Sequence, residues 1–259
     1  MVATLFLGGL FVCGTALLVL ACYFLMRRLA GEPPDTQTKE LASSVVIRIS
    51  TMHGLILALV FAQEMAEYQQ LKLESAAETN ALADIYFDAA RYGADNPERV
   101  QAAVDKYVRI VIDDEWDSLG TTGRLSGPAW AQWDSTYNVI LDLTPDNERQ
   151  KSLRDHMLAS IHTIAETRVQ REHHARNSLS VMFWFAAISG VIFTGFALYP
   201  YTPGRSNIRL LALLGAFTGI ILFFIYAFSN PFKEPGSLRP NGYLHLSRQL
   251  QEAAGTPRH

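Results

Sequence analysis

The sequence predicts an all-α membrane protein: a bundle of four transmembrane helices joined to a helical domain outside the bilayer. Three observations lead there. Apolar residues make up 49% of the chain and charged residues only 18%, more apolar and less charged than an ordinary soluble domain. The apolar residues collect toward the two ends, while the middle has the composition of a soluble helical protein. Period-two alternation, the mark of half-buried strands, is scarce throughout.

The first apolar run, residues 4–26, carries no charge and is long enough to span a bilayer, which takes about 20 residues. It lacks a basic start and Arg27-Arg28 follow it at once, so it reads as an uncleaved anchor rather than a signal peptide. A polar turn with paired prolines, GEPPDTQ at 31–37, separates it from a second segment, 42–62, which is moderately apolar but holds Arg48 and His53. An arginine facing lipid costs roughly 2.5–3.5 kcal/mol on insertion scales, so this segment spans only if its polar side meets protein or water. No proline interrupts the chain between Pro34 and Pro97, and the helix is expected to continue to near Gly93.

Pro97, with Asn96 as cap, starts a helix running to about Leu119. Gly120 to Gly127 reads as a loop, and a further helix runs from Pro128 to about Leu143. Thr144-Pro145-Asp146 opens another helix that can run unbroken toward the next membrane segment, 179–199. Tyr199 and Tyr201 mark its exit, where amphipathic rings prefer the interface. The last span is 208–228, and a polar tail with one weak helix follows. The expected organisation is residues 1–64 for the first two membrane helices, 65–177 for the outer domain, 178–228 for the last two spans and 229–259 for the tail. Basic residues near the membrane ends are equally numerous on the two sides, so the positive-inside rule assigns neither.

Several function classes drop out. A net charge of −3 and the absence of a Lys/Arg-rich run give no footprint for nucleic acid. HEXXH, CxxC, G-x-S-x-G and a phosphate-binding glycine loop are missing, and no nucleophile is paired with a base, so an enzyme is not expected, nor a cofactor or catalytic residue. Cys13 and Cys22 lie roughly 13 Å apart along one helix, too far to bridge.

The long second helix holds the candidate site. Steps of four and three place His53, Leu57, Val60, Glu64, Glu67, Leu71, Glu74 and Glu78 on one face. One reading makes this a pore face, with Arg48, His53, Leu57, Val60, Phe61 and Glu64 lining it; apolar constrictions gate by dewetting and acidic rings favour cations. The other makes it a solvated face, with water accounting for Glu67, Glu74 and Glu78. Arg48 and His53, as intramembrane ionisable groups, are candidates in their own right; the competing reading sets Arg48 at the interface and His53 in a buried hydrogen bond. Asp113, Asp114 and Glu115, near Asp117, offer hard oxygen donors for a cation, although the spacing is not an EF-hand and a solvated helix end explains it too. Trp116, Trp130 and Trp133 read as packing anchors, and His173-His174 chelate poorly because neighbours on a helix point about 100° apart.

Residues 55–91, LILALVFAQEMAEYQQLKLESAAETNALADIYFDAAR, with Leu82, Ile85 and Tyr86 near the end, resemble the bestrophin-like family of bacterial membrane proteins. So do YVRIVIDDEW at 107–116, the two closely spaced C-terminal membrane helices, and SNPFKEPGSLRP at 229–240. The resemblance implies kinship with bestrophins, which are pentameric anion channels whose second membrane helix lines the pore and runs on into the cytoplasmic domain. Carried over, that role falls on 42–62, the outer domain lies in the cytoplasm, and the chain is a homo-oligomer of the inner membrane, in contact with lipid and ions. The chain departs from bestrophins in lacking the basic N-terminal segment and the dense acidic calcium clasp, and Phe61 is the only aromatic in the expected constriction. The two functions to weigh are an ion channel and a non-conducting scaffold or sensor whose helical domain binds a protein.

Overall fold

The computed structural model describes residues 2–31, 35–93, 97–176 and 179–255. The paired prolines and the expected cap Asn96 lie outside the described residues. Every regular element among those described is helical: α1 (Val2–Ala30), α2 (Thr36–Tyr92), α3 (Pro97–Ile110), a π-helical turn (Val111–Glu115), α4 (Trp116–Thr122), α5 (Gly127–Leu141), α6 (Glu148–Arg176), α7 (Val181–Ala197), α8 (Arg205–Phe228) and α9 (Asn241–Gly255). The chain divides into two compact units. The first holds Met1–Ala66, Ser178–Asn230 and Glu234–Gly236; the second holds Glu67–Asn177, Pro231–Lys233 and Ser237–His259. Helix α2 begins in the first and ends in the second.

The helix boundaries follow local chemistry. The Asp35 carboxylate accepts the Thr38 amide at 2.8 Å and so satisfies one of the donors a helix start leaves open; the Thr38 hydroxyl and amide together hold its pKa below the ordinary range. Gly93 stops α2 at φ 73° and Gly123 stops α4 at φ 68°, the left-handed region where a side chain is costly. Helical backbone continues through Gly120, which sequence reading gives to a loop. A Cβ there would lie 2.7 Å from the Phe232 carbonyl oxygen, so glycine serves here to admit another chain segment. Helix α6 is described to Arg176, and Ser180 caps α7 by accepting the Met182 amide at 3.2 Å.

In the first unit α1, α2 and α8 are each long and apolar enough to cross a membrane; α7 makes a fourth where it is counted with the helix before it. Helix α1 packs on α8 and α7 through small residues. A Cβ on Gly215 would sit 2.6 Å from Ala16 Cα, one on Gly219 2.8 Å from Val12 Cα, and one on Gly195 2.8 Å from Cys22 Cβ. Gly215 and Gly219 form a G-x-x-x-G pair, the pattern that lets membrane helices approach backbone to backbone. Near the other end of α1, Tyr23 Oη donates to the Tyr201 carbonyl at 2.7 Å and Arg27 Nη1 to the same oxygen at 3.0 Å.

The second unit is built around the C-terminal half of α2, with α3, α5, α6 and α9 supplying Val104, Ile140, Met157, Ile161, Tyr243 and Leu246 to one core. The segment read as a polar tail therefore includes a core element. Tyr243, Leu246 and Leu250 of α9 are all buried to 2% exposure or less, because their 3–4 spacing makes one apolar stripe.

Gly219→Leu should lower the stability of the detergent-solubilised protein by about 1–3 kcal/mol, the usual cost of overpacking. Gly9→Leu, at a position where a Cβ meets nothing within 4 Å, should leave it unchanged; unfolding midpoints measured side by side check the pair.

Candidate functional site

The membrane half of α2 presents two unlike faces. One packs inward: Leu57 is 2% exposed and sits with Ala187, Leu222 and Ile225, with Val60 and Phe61 alongside. Of these three, offered above among the pore-lining residues, Leu57 is buried against α7 and α8, and Val60 and Phe61 are half-buried on the same side. The His53 ring lies against Gly190, where a Cβ would be 2.7 Å from Nε2. His53 Nε2 and Ser50 Oγ are buried without a hydrogen-bond partner and border a cavity of about 140 Å³ also lined by Thr194 and Thr218. Glu64 is half-buried.

The other face is left uncovered. Leu41, Val45, Arg48, Met52, Leu55, Leu59 and Ala62 are all exposed, Leu59 at 63%. Their spacing alternates steps of four and three, the periodicity of a helix–helix seam. Arg48 is the one charged member of the stripe.

The second unit encloses a four-charge cluster. Glu78, Glu115, Arg168 and Arg171 have side chains with 1% exposure or less. Arg171 bridges the two carboxylates, with Nη1 2.7 Å from Glu78 Oε2 and Nη2 on Glu115 Oε1; Arg168 Nη2 takes Glu115 Oε2. Tyr107 Oη donates to Glu78 Oε1 at 2.8 Å and Thr167 Oγ1 to Oε2 at 3.2 Å. The Tyr243 hydroxyl meets Arg171, and the Arg168 guanidinium lies 4.1 Å from the Trp130 ring centroid. Two carboxylates and two guanidiniums cancel, which is what makes their burial tolerable, since removing each ion from water costs several kcal/mol. Burial and the Glu78 carboxylate push the Tyr107 hydroxyl well above its ordinary pKa. Burial does the same for Tyr243, against the opposing pull of Arg171.

The π-helical turn decides the fate of the acidic run. Glu115 points inward to the arginines; Asp113 and Asp114 stay exposed, with Asp114 accepting the Ser126 hydroxyl. Glu115 is thus set apart from the two exposed aspartates, and among the described residues no group of three or more metal-ligating side chains converges. Glu74 and Glu78, expected on a solvated face, are buried as well. Glu74 takes Gln70 Nε2 at 3.1 Å and lies 3.3 Å from His174 Nε2. Sequence reading missed Arg168, Arg171, Tyr107 and Tyr243 as members of a site. The signal is present in α6: Arg168 and Arg171 continue the stripe Met157, Ile161, Ile164 at helical spacing.

The bestrophin-like domain model matches residues 13–243. The chain belongs to the bestrophin-like family. With its long apolar helices, this bestrophin-like chain is a multi-pass membrane protein. Among solved structures it is similar to a crystal structure described only as that of a membrane protein, at 15% identity over 99% of this chain and 100% of that one, with a TM-score of 0.57. At that identity the likeness is one of fold. The comparison with curated proteins returns no match.

Glu115→Gln leaves Arg168 and Arg171 short of a counter-charge and should cost about 3–5 kcal/mol of stability, read from denaturant midpoints of the second unit's near-ultraviolet signal. Because Tyr107 and Tyr243 titrate higher in the fold than in the unfolded chain, their contribution is complete below the ordinary tyrosine value of 10.0 and declines above it, as only the unfolded state ionises. Unfolding temperature should therefore fall more steeply above pH 10 in the wild type than in Tyr107→Phe.

Proposed function

We propose that the protein is a homo-oligomeric bestrophin-like channel, pentameric by family kinship, that passes small anions along an axis lined by α2. In this reading α1, α2, α7 and α8 form the four-helix bundle in the inner membrane, and the second unit stands outside the bilayer on the cytoplasmic side. The protein is not an enzyme.

The observation that carries the reading is the uncovered stripe on α2. An arginine among lipid-facing leucines is expensive, and a four-three seam is the pattern of helices that meet other helices. Gathering the stripes of sister subunits around one axis resolves both. It gives Arg48 water and an anion to face, and it brings Leu55 and Leu59 together as an apolar ring. A ring of arginines selects anions, and an apolar ring gates by dewetting. Leu57, Val60 and Phe61 then brace the pore helix from behind.

Liposomes containing the purified protein test this by ion flux. Leu59→Ala should raise anion flux several-fold, and Arg48→Glu should shift selectivity toward cations. Leu57→Ala should instead lower stability by about 2–5 kcal/mol and leave selectivity alone. If wild type and all variants pass no ion at any voltage or pH, conduction is refuted and the scaffold or sensor reading takes its place.

A further inference from the structure

We propose that a pocket of the second unit, apart from any ion path, binds a small phosphate ester, recognised through its doubly charged phosphoryl group. The pocket has a volume of about 250 Å³ and lies between the α2 residues Lys72, Ser75 and Thr79 and the stretch from Leu238 to Tyr243 that leads into α9. Residues 238–240 close the segment SNPFKEPGSLRP, whose role the channel reading leaves unexplained.

The lining is one-signed. Lys72 and Arg239 both border the pocket and no Asp or Glu does. The Arg239 side chain is exposed and joins none of the ion pairs among the described residues. Lys72 Nζ rests 4.8 Å from the Tyr68 ring centroid, a contact that leaves an ammonium's hydrogen-bonding capacity available. Of the two buried carboxylates that flank Ser75 on α2, Glu78 is neutralised by Arg171 and Glu74 accepts from Gln70 Nε2 and lies 3.3 Å from His174 Nε2; neither lines the pocket.

Neutral donors belong to the residues that border the same space. Ser75 Oγ is buried and has no hydrogen-bond partner, an arrangement that proteins seldom leave unfilled. Helix α9 opens here. The Asn241 amide goes to the Arg239 carbonyl at 2.8 Å and the Leu244 amide to the Pro240 carbonyl at 3.0 Å, which leaves Gly242 and Tyr243 as first-turn amides beside the positive end of the helix dipole. Trp116 forms a wall rather than a donor, because its Nε1 is committed to the Leu238 carbonyl at 2.7 Å. Two cations, a stranded hydroxyl and helix-start amides are the donor set of a phosphoryl site. At about 30 Å³ per water the space exceeds what a bare halide needs, which favours an ester over the permeant ion.

The same group can come from a soluble metabolite or from a lipid headgroup, and the test separates them. Full-length protein in detergent is titrated with glycerol 3-phosphate at constant ionic strength, against sodium chloride, and binding is read by calorimetry and by the unfolding midpoint. A parallel arm compares nanodiscs containing phosphatidic acid with nanodiscs of phosphatidylcholine alone. The expected result is saturable binding in one arm, weakened at least about tenfold by Arg239→Glu and by Ser75→Ala, with Arg239→Lys retaining most of it. The unliganded midpoint of Arg239→Glu should match wild type, which separates loss of binding from loss of fold. Saturation by glycerol 3-phosphate assigns a soluble ester; a response to phosphatidic acid alone assigns a lipid. Chloride and phosphate acting alike, or Arg239→Glu binding as well as wild type, overturns the proposal. Neither arm measures conduction, so the outcome stands whether or not the channel reading survives.

Discussion

Helix α2 must suit two kinds of surroundings along one backbone, and most of the structure follows from how it does so. In its first half the buried face is apolar, with Leu57 set among Ala187, Leu222 and Ile225. In its second half the same helix carries Leu71, Glu74, Glu78, Leu82 and Ile85 into a core. The absence of any proline or capping stop between Thr36 and Tyr92 lets one helix serve both units, each of which closes its own set of neighbours on it.

Within the second unit the buried carboxylate of Glu78 imposes the next constraint. A lone charge there would be intolerable, and the fold answers with Arg171, Tyr107 and Thr167 from α3 and α6. Arg171 in turn requires a second carboxylate, which the π-helical turn delivers as Glu115. A local wide turn inside a helix is a known device for re-aiming a side chain at a functional or structural focus. The cluster thus fastens α2, the turn, α6 and, through Tyr243, α9 into one charge-balanced knot. Such knots add little net stability over an apolar core of equal volume but punish the loss of any one member. The tail helix becomes integral because its tyrosine completes the set.

The first unit solves a different problem by different means. In an apolar surrounding helices gain nothing from hiding leucine, so contact rests on close approach and a few hydrogen bonds. Gly215 and Gly219 against α1 supply the approach, and Tyr23 and Arg27 on the Tyr201 carbonyl supply the bonds. The α2 stripe through Arg48 is one of the faces that these contacts leave uncovered. His53 and Ser50 stand apart from that stripe, turned into a cavity on the packed side.

Helical class, the long apolar segments, the unbroken run of α2 to Gly93 and the family were legible in the amino-acid order. Each depends on local quantities: segment hydropathy, helix breakers and a linear motif. The Trp residues were rightly placed as packing anchors for the same reason, since Trp133 lies against the core and Trp116 against Phe232 and Tyr243. The sequence alone left open which side of α2 faces inward. Leu57 and Leu59 differ by about 200° around the helix, and only the helices that arrive from residues 181–228 decide which is covered. Glu78 and Glu115 likewise read as solvated acids until α6, some 90 and 55 residues further on, brings Arg168 and Arg171 against them. A residue's own chemistry sets what it requires. Whether that requirement is met by water, lipid or an opposite charge is settled only by what the fold brings beside it.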